Sequence, residues 1–141
     1  MPNQKAETAL QLLEKLSKAS DMFRKVQSKQ MHGENLTNPQ FGALFVLKKY
    51  GSVPLKKISD EMMVTGANIT CVVDNLEKEG FVKRIHSIED RRVINAELTP
   101  KGKAKVEQLL PSYRQNAMSM VSKLKDDEQK TLLNLLEKLV D

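Results

Sequence analysis

Between Ala6 and Met31 the chain carries neither proline nor glycine, and apolar residues recur at Leu10, Leu13, Leu16, Met22, Phe23 and Val26. That spacing is closer to the helical period than to strand alternation, so the segment predicts one long helix. At 1.5 Å per residue it spans on the order of 40 Å. The whole chain has 141 residues, enough for one compact domain or for a smaller domain with dimerisation arms. A helix of this length outruns such a core, so part of its apolar stripe is expected to pack on another chain. The same length argues against a typical two-domain enzyme.

Composition narrows the class. With 40% hydrophobic and 29% charged residues the chain is an ordinary globular one, and its apolar runs of a few residues fall far short of a bilayer span. The start, Met1-Pro2-Asn3-Gln4-Lys5, is polar and charged before any apolar stretch, so a cytoplasmic location is expected. Aromatic residues are only 4% with no Trp, which suggests a helix-rich core of Leu, Ile, Val and Met. A single cysteine, Cys71, excludes an internal disulfide framework. His32 and His86 are too far apart in sequence for a Cys/His metal pattern, so neither a metal nor a cofactor is expected. No paired acid and base, nucleophile or phosphate loop emerges, so no enzyme is expected.

Gly33 is expected to stop the first helix. Thr37-Asn38-Pro39-Gln40 has the form of a capping box, with Pro39 tolerated in the first turn. A second helix should run from about Asn38 to Tyr50, with Phe41, Leu44, Phe45 and Leu47 on its core side and Gly51 at its end. Pro54 opens a short helix through Leu55, Ile58 and Met62. Thr65 is a natural N-cap for another, reaching about Lys78 with Ile69, Val72, Val73 and Leu76 inward, and Gly80 closes it. Two short helices about three residues apart, with small Ser59 where the second must approach, read as a helix-turn-helix. An ordinary helical hairpin is the alternative, but it would not require a polar first turn on the second helix.

After Gly80 the period changes. Phe81–His86 and Val93–Leu98 are β-branched or alternating and flank the polar stretch Ser87-Ile88-Glu89-Asp90-Arg91-Arg92, which predicts a β-hairpin with a charged tip. Thr99 and Pro100 then start a helix carrying Val106, Leu109, Leu110, Tyr113, Ala117, Met120 and Leu124, with a kink expected at Pro111. A final helix, capped by Asp126 or Asp127, holds Leu132, Leu133, Leu135, Leu136, Leu139 and Val140. It is apolar on more than one face, as a subunit contact would require.

The net charge of +5 is unevenly spread. Residues 81–105 carry Lys83, Arg84, Arg91, Arg92, Lys101, Lys103 and Lys105 against Glu89, Asp90 and Glu97. Such a cluster can neutralise phosphates, although a solvated lysine-rich face is the plainer reading of charge alone.

Taken together, Met63-Val64-Thr65, Asn68-Ile69-Thr70, the run Val73 to Arg84, Glu89-Asp90-Arg91-Arg92 and Leu98-Thr99-Pro100-Lys101-Gly102 resemble the MarR family of bacterial transcriptional regulators. The likeness extends over essentially the whole chain, and its most specific parts are the Asp-Arg-Arg of the wing and the Leu-Thr-x-x-Gly that follows. It implies a mainly α fold with a small β-hairpin wing. Residues 35–99 would form a winged helix-turn-helix lobe, and about 1–34 and 100–141 would supply dimerisation helices. It further implies a homodimer on a roughly palindromic double-stranded DNA operator, often released by a small-molecule effector. By the same resemblance Arg92 is the arginine of the Asp-x-Arg pattern and Asp90 its orienting partner.

Physical chemistry assigns similar roles. The first turn Thr65-Gly66-Ala67-Asn68 offers free amides and a positive dipole end to phosphate, and its small side chains admit close approach. Asn68 and Thr70 can hydrogen-bond base edges or phosphates. Residues 65–79 are nonetheless acidic, with Lys78 against Asp74, Glu77 and Glu79, so attraction must come from elsewhere. Arg91 and Arg92 at the hairpin tip suit a narrow minor groove. Lys83 and Arg84 lie on opposite faces of a strand, so one of the two should reach DNA; Arg84 joins the expected DNA-contact set with Thr65, Gly66, Asn68, Thr70, Arg91 and Arg92, while Lys83, Lys56 and Lys57 are candidates for phosphate contacts. Phe23, Met31, His32 and Tyr50 are candidates for an effector pocket, with core packing as the competing reading.

Met63 stands where a turn commonly has glycine, so the turn either avoids positive φ or accepts strain. Peroxide-sensing relatives carry a reactive cysteine in the first helix, which this chain lacks. Cys71 lies in the recognition helix, as a space-filling residue or as a thiol sensor. A winged-helix module that binds protein rather than DNA is the alternative from a different class.

Overall fold

The structure is a computed structural model that describes residues 3–141; Met1 and Pro2 of the expected N-terminal arm lie outside the described residues. The long helix α1 spans Gln4–Gly33, with Asn3 as its N-cap. Only its C-terminal half packs on its own chain. Leu10 and Leu13 are 59% and 65% exposed, whereas Met31 is fully buried. Gly33 does not end the helix through its own backbone. The chain turns at Asn35, whose φ of 58° is tolerated because its short polar side chain suits the left-handed region. The amides of Glu34 and Leu36 return to the Met31 carbonyl.

Helix α2 runs Asn38–Tyr50 behind the expected capping box: the Gln40 amide donates to Thr37 Oγ1 at 3.2 Å and the Thr37 amide to Gln40 Oε1 at 2.8 Å. It is the centre of the core. Phe41, Ala43, Leu44, Val46 and Leu47 are buried, while Phe45 is partly buried. Gly51, at φ 78°, ends it.

Helices α3 (Leu55–Met62) and α4 (Gly66–Lys78) are joined by Met63, Val64 and Thr65. Ser59 is buried in α3, its hydroxyl satisfied by the Lys56 carbonyl at 2.9 Å. Ile69, Val72, Val73 and Leu76 of α4 are all buried. Met63 adopts φ 55°, ψ 44°, so the turn accepts the left-handed conformation without a glycine.

Strands β2 (Val82–His86) and β3 (Ile94–Leu98) form the hairpin, in the register Val82 opposite Leu98 and His86 opposite Ile94. A further strand went unexpected. Val53 and Pro54, β1, pair antiparallel with Ala96 and Asn95, so the sheet has three strands in the order β1-β3-β2. Two residues containing a proline make no strand signal in sequence, and Pro is tolerated because β1 is an edge.

Helix α5 (Pro100–Met120) starts at the Thr99 cap, with Gly102 N–H donating to Thr99 Oγ1 at 3.0 Å, and continues past Pro111. Leu124 falls after its end. Helix α6 (Asp126–Val140) begins one residue before the expected caps, at Lys125, whose amide donates to Glu128 Oε1 at 2.8 Å. Asp126, Asp127 and Glu128 occupy the first turn, where the helix dipole favours them. No residue of α6 is buried. Among the described residues no helix is long and apolar enough to cross a membrane.

Candidate nucleic-acid interface

The first turn of α4 is an open polar surface. Thr65, Gly66, Ala67, Asn68, Thr70 and Cys71 are all exposed. Thr65 Oγ1 accepts the Asn68 amide at 3.2 Å, so the hydroxyl proton stays free to donate. Thr70 donates to the Gly66 carbonyl at 3.0 Å, which leaves its oxygen as an acceptor. The Asn68 side-chain amide makes no hydrogen bond among the described residues and keeps both functions. A Cβ on Gly66 would meet nothing within 4 Å. Internal packing therefore does not demand the glycine, and its absent side chain opens the surface outward.

Lys56 lines the same groove between α3 and α4 as Gly66 and Thr70. It is 83% exposed and holds Asp60 at 3.1 Å, an i, i+4 surface pair that exchanges readily. Lys57 is turned elsewhere. Its ammonium sits 3.0 Å from Glu61 and 4.5 Å from the Tyr50 ring centroid, and the Glu61 hydrogen bond raises its pKa. The two lysines thus separate, because neighbouring helical positions point about 100° apart.

At the wing tip Asp90 grips Arg92 with both oxygens. Arg92 Nε and Nη2 lie 3.0 Å from Asp90 Oδ1 and Oδ2, and the Arg92 amide also donates to Oδ1 at 3.0 Å. These bonds hold the Asp90 carboxyl below its ordinary value, the side-chain bond first, and hold the guanidinium above its own. Arg92 is nonetheless 91% exposed, an oriented cation in solvent. Arg91 is exposed and has no ion-pair partner among the described residues, and Lys83 is likewise exposed and unpaired there. Sequence reasoning missed His86: its Nδ1 lies 2.9 Å from the Arg91 carbonyl and must carry the proton, since the carbonyl only accepts. With Ser87 and Val93 bonded N–H to O at 2.9 Å, the tip is braced from within.

Arg84, expected in the DNA-contact set, does not stand free in this chain. Its guanidinium meets Asp74 Oδ1 at 2.6 Å and Glu77 Oε1 at 2.9 Å, its amide donates to Glu77 Oε2 at 3.2 Å, and its side chain is only 23% exposed. Gly80, at φ 81°, turns the chain back along α4 and brings strand residue 84 beside helix residues 74 and 77. Acids three apart on a helix, followed by a glycine turn and an arginine on the returning strand, were the available signal.

The four residues suggested for an effector pocket do not converge either. Met31 is inside the core, and Phe23 packs its edge on Tyr113 with ring centroids 6.1 Å apart. His32 is exposed, and Tyr50 sits at the far end of α2 with its hydroxyl donating to Glu61 at 3.2 Å. Phe23 and Met31 lie on the core side of α1 and are claimed by packing, while the exposed Tyr50 is claimed by the surface charges of Glu61 and Lys57. Cys71 is a free, exposed thiol on α4. No cluster of three metal-ligating side chains occurs among the described residues.

Known proteins share this arrangement. Residues 36–94 match the model of the MarR family. The chain is 30% identical to the HTH-type transcriptional regulator MhqR of Bacillus subtilis over 94% of this chain and 92% of that protein. To the HTH-type transcriptional repressor MdtR of Bacillus subtilis it is 31% identical, over 84% of this chain and 78% of that one. Among solved structures, BpsR of Bordetella bronchiseptica, whose DNA binding is regulated by 6-hydroxynicotinic acid, superposes with a TM-score of 0.84. Its sequence identity is 26%, covering 93% of this chain and 99% of that one. The extent of these matches, together with the helix-turn-helix and its braced wing, makes this chain a member of the MarR family of winged helix-turn-helix transcriptional regulators.

Proposed function

We propose that the protein binds a roughly palindromic double-stranded DNA operator as a homodimer and acts as a cytoplasmic repressor released by a small-molecule effector. The observation that carries the DNA reading is the Asp90–Arg92 fork: a guanidinium oriented by two oxygens yet 91% exposed is built for an external anion or groove. The first turn of α4 enters the major groove. There Thr65 donates to phosphate, Thr70 accepts from a base amino group, and Asn68 reads a base edge. Gly66 brings the backbone near the duplex, while Arg91, Lys83 and Lys56 add phosphate contacts. Exposed leucines on α1 and α6 join the protomers. Repression is carried over from MdtR, a transcriptional repressor, and control by a small molecule from BpsR, whose DNA binding is regulated by 6-hydroxynicotinic acid.

Fluorescence anisotropy on a labelled duplex from upstream of the coding region, against a random duplex, tests this reading across a salt series. Specific binding should weaken steeply with salt, and Arg92→Ala should cost about ten- to a thousandfold in affinity. Equal weak binding to both duplexes, unmoved by the substitution, would instead favour a winged-helix module that binds protein.

A further inference from the structure

Two of the hairpin's arginines, Arg92 and Arg84, are held in opposite ways. Arg92 projects from the tip with one carboxylate behind it; Arg84 is shielded, with two carboxylates on its guanidinium and one of them also on its backbone amide. To reach a phosphate, Arg84 would have to give up two ion pairs for one and leave Asp74 and Glu77 unpaired on the helix that faces the duplex. Those acids stand three residues apart, close enough to repel each other and any nearby phosphate. Strand β2 is also an edge of the sheet, and Glu77 takes one of its amides.

We infer that Arg84 is a positioning residue for DNA recognition: it fastens the wing to the recognition helix and offsets part of that helix's acidity without touching DNA. The inference rests on the DNA-binding reading above. It accounts for an acidic recognition helix in a DNA-binding lobe. It also makes the wing tip and the first turn of α4 one rigid reader, because β2 cannot shift along α4 without breaking three charge-assisted hydrogen bonds.

The test uses a duplex selected by the parent protein from a random-sequence library, so that parent binding checks the DNA reading and the variants check Arg84. Affinity is measured by anisotropy from low to moderate salt, with thermal melts confirming folded protein. Arg84→Gln, which unmasks both acids, should lower affinity about tenfold or more. The triple variant Arg84→Gln, Asp74→Asn, Glu77→Gln replaces the network by neutral amides of similar shape. It should bind within a few-fold of the parent and keep the parent's salt slope. A phosphate ligand would behave otherwise: the triple variant would stay weak, and the slope would fall by about one unit per protomer. That result, or an Arg84→Gln variant that binds like the parent, overturns the inference. If Arg84→Gln alone does not fold, the triple variant decides by its affinity and slope.

Discussion

Met63 is the clearest case of a residue at odds with its own backbone. At φ 55° it sits where a Cβ costs about 1–2 kcal/mol, and with 92% of its surface exposed it recovers nothing by packing. Met63→Gly is therefore expected to raise stability by about 0.5–1 kcal/mol, the strain relieved less the added freedom of the unfolded chain. A urea midpoint that rises at constant m value records this; an unchanged or lower midpoint means that the methionine makes a contact the free chain does not reveal. At this scale the sequence was readable wherever a side chain acts on its own neighbourhood. Thr37, Thr65 and Thr99 cap the helices they precede, and Asp90 orients Arg92 two residues on. The ion pairs of Arg84 were not legible, because its partners are seven and ten residues away, across a turn whose direction only the folded backbone shows.

Among the elements, the start of α5 explains a motif. Gly102 lies directly over the Phe81 backbone, so that a Cβ there would collide with the Phe81 carbonyl oxygen. That carbonyl accepts the Thr99 amide at 3.0 Å, and Thr99 Oγ1 donates to the Gly80 carbonyl at 2.6 Å. The Leu-Thr-x-x-Gly pattern thus clamps α5 to the end of α4, and the glycine is what permits the approach. Gly102→Ala is expected to destabilise the fold by about 2 kcal/mol or more, since a backbone atom cannot step aside as a side chain can. Chemical denaturation of the purified variant measures it, and a loss below about 0.5 kcal/mol would place the clamp elsewhere. Helices with strong caps and periodicity were legible to within a few residues. Strand β1 was not legible, because it is created by its partner strand, and the start of α6 was off by one residue, because it depends on Glu128 reaching back to a lysine's amide.

For the whole molecule, the outstanding fact is how much apolar surface the single chain leaves uncovered. Leu132, Leu135 and Leu139 follow helical spacing along α6 at 41%, 53% and 69% exposure, and Leu10 and Leu13 do the same on α1. A second copy of the chain covers these stripes in the proposed homodimer. Burying a leucine is worth about 1.5–3 kcal/mol, so Leu135→Glu with Leu139→Glu removes four such contributions from a dimer. Sedimentation equilibrium should show the parent at about twice the 16.0 kDa chain mass and this variant at one chain mass with its helical signal largely kept. A parent that sediments as one chain would refute the homodimer.

Strand β1 also constrains how such a protein can be switched. Val53 and Pro54 are at once a rung of the wing sheet and the residues leading directly into α3. The wing is therefore pinned to the helix-turn-helix at one side by this shared dipeptide and at the other by Arg84. A lobe tied at both flanks has little internal slack, so each half-site should be read with the same base preferences whether or not the protein is in its binding state. In the proposed homodimer, what remains adjustable is the gap between two such readers. An effector acting on this architecture would change the spacer length the dimer tolerates while leaving the half-site sequence it recognises untouched.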